Sequence, residues 1–232
     1  DGLSMNKFPS TIGMRSIKQR GYKLLNTEMD GKQPLVSIIV RTCQRPDVLQ
    51  KALNSIQAQT YTNIQAVIVE DGENVSEVLL KRQYVDLNYI YEATIQKVGR
   101  VRAGNRALEL AQGEFINFLD DDDELQPNHT EVLVKELTSG NKRAAYSVAE
   151  ERKIIVTSRM PYMYIVKRAS IKYRQPFNRM LLYTFNYMPI QSVMFHKSLY
   201  KELGGFDENL DNLEDWDLWV RYSTKTDYGF VN

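Results

Sequence analysis

The stretch Leu35-Val36-Ser37-Ile38-Ile39-Val40 constrains the fold more than any other part of this chain. It is apolar and β-branched and lacks the alternation of a strand with one wet face. It reads as a strand buried on both sides. Ile64-Gln65-Ala66-Val67-Ile68-Val69 and Phe115-Ile116-Asn117-Phe118-Leu119 are runs of the same kind. Strands covered on both faces need helices above and below them. One helical pattern starts at Pro46 and runs through Val48, Leu49, Leu53 and Ile56. A second lies near 75–83, and a third spans 100–112 with Leu108 and Ala111 inward. A short strand, Tyr89-Ile90-Tyr91, falls between the last two. Strand and helix alternating at this spacing predict right-handed βαβ units and an open, mostly parallel α/β sheet over 34–125.

The texture changes past residue 143. Ala144 to Ile155 predicts a strand or hairpin, Ser192 to His196 a strand, and Leu213 to Tyr222 a helix with Leu213, Trp216 and Val220 on one face. Between them, 160–187 is rich in Tyr and Met with Arg and Lys interleaved. Residues 1–33 are polar and basic and form an N-terminal extension, in which Ile17, Leu24 and Leu25 predict a short helix. The chain starts without Met, and its last residues, YGFVN, read as a strand cut short. A fragment of a longer protein is expected.

Composition removes several classes. Lys plus Arg total 30 and Asp plus Glu 29, a net charge of +1. A nucleic-acid binder that relies on a basic field is excluded on that balance. The single cysteine, Cys43, excludes an internal disulfide framework and a multi-Cys metal site. No base partner for Cys43 is evident, which argues against a nucleophile. No apolar run approaches the roughly 18 residues of a membrane span.

The carboxylates carry the chemistry. The second buried strand ends in Glu70-Asp71-Gly72, and the third in Asp120-Asp121-Asp122-Asp123-Glu124. Open α/β sheets bind ligands in the crevice beyond the carboxyl ends of their strands, so both clusters should line one crevice. Like charges a few ångströms apart repel by about 1 kcal/mol per pair in water, and by more near a protein surface. A divalent cation removes that cost. All-oxygen ligation indicates Mg²⁺ or Mn²⁺ rather than zinc, with substrate phosphates completing the shell. The alternative is a solvated acidic loop feeding a helix start at Pro127-Asn128. A third cluster, Glu214-Asp215-Trp216-Asp217, opens the last helix. A partly desolvated carboxylate there suits a general base, and an acidic first turn complementing the helix dipole is the equal alternative.

The segments VSIIVRT, AVIVEDG, GEFINFLDDDDEL, GGFDENL and LEDWDLWVR, in this order and spacing, resemble the GT-A glycosyltransferases of glycosyltransferase family 2. The match runs from about Val36 to Arg221. The resemblance implies a Rossmann-like, mostly parallel central sheet flanked by helices, with a smaller mixed lobe on the acceptor side. It divides 34–232 into a nucleotide-sugar-binding half (34–125) and an acceptor-binding half (126–232). It implies inverting transfer from a nucleotide-diphosphate sugar, a UDP-sugar above all, to an acceptor hydroxyl on a glycan or lipid-linked molecule. Mn²⁺ or Mg²⁺ would assist. Surface polysaccharide synthesis in the cytoplasm, with peripheral attachment to the inner membrane face, is the expected setting.

Residue by residue, the resemblance places Arg41, Thr42 and Arg45 in the loop that holds the nucleoside, and Asp71 on the base. Gly99 to Asn105 approaches the nucleotide and sugar, with Asn105 a donor contact. Asp120-Asp121-Asp122 is similar to the family's D-x-D motif. Asp122 would ligate the metal directly, Asp120 would touch ribose or metal, and Asp121 would line the donor site. Asp215 would be the base and Glu214 the second choice. The chain departs from the family in having Cys43-Gln44-Arg45 where Tyr-Asn-Arg is usual and Ala103-Gly104-Asn105 where Ala-Arg-Asn is usual. Arg102 is then expected to supply the pyrophosphate contact.

On the acceptor side, Tyr146, Tyr162, Tyr164, Tyr173, Tyr183 and Tyr187 could stack on sugar rings, although most should pack the lobe itself. Lys167, Arg168, Lys172 and Arg174 could meet a phosphate or acidic sugar. His129 is expected at a helix start on the surface, and His196 in the core. Two other classes compete. A sugar-phosphate nucleotidyltransferase would show a Gly-rich phosphate loop after the first strand, and 41–46 has no glycine. A catalytically inactive nucleotide- or glycan-binding module of a larger protein is the remaining alternative.

Overall fold

The computed structural model describes residues 33–232. The short helix expected around Ile17 to Leu25 lies outside them. The described chain runs β1 (Val36–Thr42), α1 (Pro46–Gln57), β2 (Ile64–Glu70), α2 (Glu77–Gln83), β3 (Tyr89–Ala93), α3 (Arg100–Leu110), β4 (Phe115–Asp120), α4 (His129–Ser139) and β5 (Ala144–Ser147). It continues with β6 (Glu150–Arg159), β7 (Tyr162–Ile171), α5 (Arg179–Leu182), β8 (Val193–His196), α6 (Lys197–Leu203), α7 (Glu214–Ser223) and β9 (Tyr228–Val231).

Seven strands form one sheet in the order β3-β2-β1-β4-β8-β5-β9. The first four are parallel, as the βαβ reading requires. β8 then runs antiparallel to both β4 and β5, and β9 pairs parallel to β5. The second half of the chain thus extends the same sheet. The segment 144–155, expected as one strand or hairpin, is divided: β5 joins the main sheet, while β6 pairs only with β7 in a separate two-stranded sheet. That hairpin lies largely exposed, including Ile155, Met163 and Ile165.

Alternate side chains of the buried strands feed two cores. Ile38 and Val40 of β1 pack with Leu49, Leu53 and Ile56 of α1. Ile39, between them, faces Val101, Ala107 and Leu108 of α3 on the other side. Each such fully buried aliphatic side chain contributes about 1.5–3 kcal/mol, which is why the strands show no polar face. Pro46 sits in the first turn of α1, where its missing N–H leaves no bond unmade.

The polar residues inside these runs all have partners. Ser37 Oγ donates to Gln65 Oε1 at 2.8 Å and accepts from Gly113 N. Asn117 Nδ2 donates to the carbonyls of Gln191 and Val193, fastening β4 to the segment entering β8. The last helix is phased differently from its sequence reading. Leu213 precedes α7 in a left-handed conformation (φ 61°) and is exposed, and Leu218, Trp219 and Tyr222 are the buried apolar residues. Trp216 and Val220 pack at the edge of that core. No helix among the described residues is long and apolar enough to cross a membrane.

The turn before β4 tolerates no side chain. A Cβ at Gly113 would lie 2.5 Å from Ser37 N and 2.7 Å from Phe115 O, both backbone atoms of the central strands. Gly113→Ala should therefore destabilise the protein by about 1–3 kcal/mol, read as a lowered midpoint in urea unfolding.

Candidate active site

Beyond the carboxyl ends of β1, β2 and β4 lies a cleft of about 210 Å³, lined by Arg41, Thr42, Arg45, Asp71, Arg100 and the Asp120–Asp122 run among others. The run splits its carboxylates among different neighbours. Asp120 Oδ1 accepts from Arg41 Nε at 2.9 Å and Nη2 at 2.8 Å. Asp121 turns inward and is 1% exposed; its Oδ2 accepts from Thr42 Oγ1 at 2.7 Å and Arg45 Nε at 3.1 Å, and Arg45 Nη2 closes on its Oδ1. Burial pushes the Asp121 carboxyl up, against the lowering effect of Thr42 and Arg45. Asp122 points out at the mouth, with its side chain 54% exposed and Arg45 Nη1 3.6 Å away. Asp123 is pushed up to about 7 by burial first and then by the negative charge of its neighbours.

Asp71 accepts from the backbone N–H groups of Val98 (2.7 Å) and Gly99 (3.1 Å), which fixes the loop into α3. Gly99 there has φ 90°, a conformation that disfavours any side chain. Glu70, next to it, is fully buried on Ser76 and Tyr91 and serves the loop rather than the cleft.

Arg102 and Asn105 do not reach the cleft. Arg102 Nε donates to Glu208 at 3.1 Å, and Asn105 brackets Phe206 by accepting from its N–H and donating to its carbonyl. The reason is helical phase. Residues 100 and 103 share the face toward the cleft, and 102 lies two residues, about 200°, away from 100. Arg100, inside the stretch Gly99 to Asn105 expected near the nucleotide, is therefore the α3 cation at the cleft, in place of Arg102.

α7 brings the third cluster to the same place. Glu214 is 3% exposed; its Oε1 accepts from Arg41 Nη1 at 3.0 Å and lies 3.3 Å from Arg100 Nε. Asp215 is held differently, and no cation pairs with it among the described residues. Its Oδ2 accepts from Asn186 Nδ2 at 2.9 Å and its Oδ1 from Trp216 N at 2.8 Å, and burial holds its carboxyl above the usual range. Asn186 was not expected here. Its only signal in the sequence is its place in the Tyr- and Met-rich segment.

A larger cavity of about 570 Å³ lies between the acidic run and the β6–β7 hairpin and shares Asp122 with the cleft. Tyr162, Tyr164 and Tyr173 line it. Tyr164 is pinned in place: its hydroxyl donates to Glu124, and Lys51 Nζ stands 4.4 Å from its ring centre. Tyr146 and Tyr187 are instead core residues at 1% exposure, and Tyr183 is exposed. Lys172 pairs with Glu151.

Both histidines differ from expectation. His129 is buried, because Asn117 and Ser147 from the adjacent strands supply both ring nitrogens with partners, and burial lowers its pKa to about 4. His196 is half-buried and caps α6, accepting from Ser198 N at 3.1 Å.

Among the described residues no three His, Cys, Asp or Glu side chains form a metal cage. The donor set still fits a hard cation held in part by phosphate. Asp122 stands half-exposed at the mouth with Arg45 Nη1 3.6 Å away, and Asp120 commits Oδ1 to Arg41. Asp121, by contrast, is structural. Asp121→Ala would leave Thr42 and part of Arg45 without a partner and should cost about 2 kcal/mol in chemical denaturation.

The profile of the family "Glycosyl transferase family 2" matches residues 37–204. The chain is 30% identical over 187 residues to the uncharacterized glycosyltransferase YwdF of Bacillus subtilis, covering 80% of this chain and 67% of that protein. Two other curated relatives are spanned over only 20% and 58% of their length. Among solved structures, S. aureus TarS in complex with UDP superposes with a TM-score of 0.64 at 19% identity, over 85% of this chain and 61% of that one. The mannosyltransferase PcManGT from Pyrobaculum calidifontis, in complex with GDP-Man and Mn²⁺, gives 0.64 at 17%, over 87% and 55%. At that identity the structures show the fold, a GT-A-type sheet. With a family match over most of the strands and α-helices that build the cleft, the chain belongs to glycosyl transferase family 2.

Proposed function

We propose that this chain transfers a sugar from a nucleotide-diphosphate donor to an acceptor hydroxyl in one displacement, with inversion at the anomeric carbon. The observation that carries this reading is the meeting of two carboxylate sets at Arg41, whose guanidinium touches Asp120 on the donor side and Glu214 beside Asp215. UDP in the TarS complex supports a uridine donor, and Mn²⁺ in the PcManGT complex supports a divalent ion.

The roles follow from the surroundings. Asp122, with the second oxygen of Asp120, would hold Mn²⁺ or Mg²⁺ against the diphosphate. The ion when bound supplies Lewis-acid stabilisation of the leaving diphosphate. Arg100, half-exposed on the cleft wall, is the side chain placed to add positive charge there. Asp215 takes the proton from the attacking hydroxyl. Glu214 cannot, since two arginines hold it and it is nearly inaccessible. The acceptor enters by the tyrosine-lined cavity that meets the cleft at Asp122.

Asp215→Asn should lose turnover by about 10²–10⁴-fold, the usual worth of a general base, while UDP release from a UDP-sugar by wild type gives the reference rate. Wild-type turnover in this variant would refute the assignment. The pH profile gives a second test. A base works ionised, and burial raises the Asp215 pKa, so activity falls as pH drops through that raised value. Asn186 donates to the ionised form, so Asn186→Ala should move the acid limb to higher pH. An unmoved limb would mean another group titrates.

A further inference from the structure

We propose that Arg41 is a positioning residue that couples the donor-side carboxylate Asp120 to the helix turn carrying Asp215, and that Gly104 and Phe206 form the seat that allows its reach. This rests on the glycosyl-transfer reading above and extends it to residues that act through other side chains.

Arg41 is the penultimate residue of β1 and is 7% exposed. All three guanidinium nitrogens already donate to protein carboxylates: Nε and Nη2 to Asp120, and Nη1 to Glu214. It therefore acts through these two groups. Asp120 is 79 residues away in sequence and Glu214 is 173 residues away. No local backbone joins β4 to α7 at this point; the Arg41 fork bridges them, beside Arg100, which bonds the Asp211 carbonyl and Asn212 and lies 3.3 Å from Glu214. Burying such a group is costly and is offset only by well-made charged hydrogen bonds of this kind. A lysine, with one compact ammonium, cannot span both carboxylates in the same way.

The seat explains an otherwise unfavourable glycine. Gly104 lies inside α3, where glycine costs about 1 kcal/mol relative to alanine. A Cβ there would stand 2.7 Å from Phe206 Cε2 and 3.3 Å from Arg41 Cδ. The Phe206 ring needs that space, and the Arg41 guanidinium carbon sits 5.5 Å from its centre. Asn105 fixes the ring by bonding both backbone groups of Phe206, at 2.8 and 3.0 Å. Asn105, Gly104, Phe206 and Arg41 thus form one chain of contacts ending on the two carboxylates.

Two readouts test this on the purified chain: UDP release from a UDP-sugar, resolved into kcat and donor KM, and hydrogen exchange of the first turn of α7. Arg41→Lys keeps the charge but loses the fork. It should lower kcat by about 10²-fold, the effect of a misplaced reacting group, with a smaller change in donor KM and faster exchange at Glu214 to Asp217. Gly104→Ala should reproduce this pattern by displacing the ring, and Gly104→Ala with Phe206→Leu should recover most of the rate. Wild-type kcat in Arg41→Lys, a loss carried by donor KM alone, or unchanged exchange in α7 would each overturn the proposal. If Arg41→Lys does not fold, Gly104→Ala and its rescue decide. A wild-type protein that releases no nucleoside diphosphate from UDP-, TDP- or GDP-sugars would refute the transfer reading instead, and the exchange comparison would still decide the role of Arg41.

Discussion

Four adjacent carboxylates at the end of a buried strand repel one another, and the geometry around the cleft is arranged by that repulsion. Strand alternation and the turn after Asp120 send them to different surroundings. Asp120 is gripped by Arg41, Asp121 is sunk against Thr42 and Arg45, and Asp122 is left at the mouth. Burial first, and then the charge of its neighbours, raises the Asp123 carboxyl to about 7. Two arginines from one strand end, Arg41 and Arg45, thus neutralise the inner half of the run and leave the outer half open. An acidic loop evolved only to start a helix would have no need of a buried arginine beneath it.

The same arginine draws the far half of the chain to the site. α7 opens at a left-handed residue, Leu213, and presents Glu214 inward to Arg41 and Arg100. Asp215 follows on a different side of the turn, against Asn186 and away from the cations. One carboxylate of the pair is thus locked and the other retains a raised pKa. The two neighbours are distinguished by their partners, and their order in sequence alone does not tell them apart.

The central strands were legible from the sequence because burial on both faces leaves an unbroken apolar signal, and β1, β2 and β4 lie where those runs lie. The positions of the acidic clusters at strand ends followed directly. Side-chain direction was harder to read. Arg102 and Asn105 seemed suited to the donor by residue type, but the phase of α3 turns them to Glu208 and Phe206 and brings Arg100 to the cleft. His129 is internal because Asn117 and Ser147, which are distant in sequence, satisfy its ring. The assignment of 144–155 to two sheets depends on pairing with β8 and β9, which no local pattern encodes.

Metal-assisted binding of a nucleoside diphosphate at the outer half of the acidic run is the central claim. Calorimetric titration of UDP into the protein with Mn²⁺, repeated with EDTA, tests it most directly. Saturable binding is expected with Mn²⁺, lost on chelation and in Asp122→Asn. Binding unaffected by EDTA, or silence with UDP, TDP and GDP alike, would contradict it.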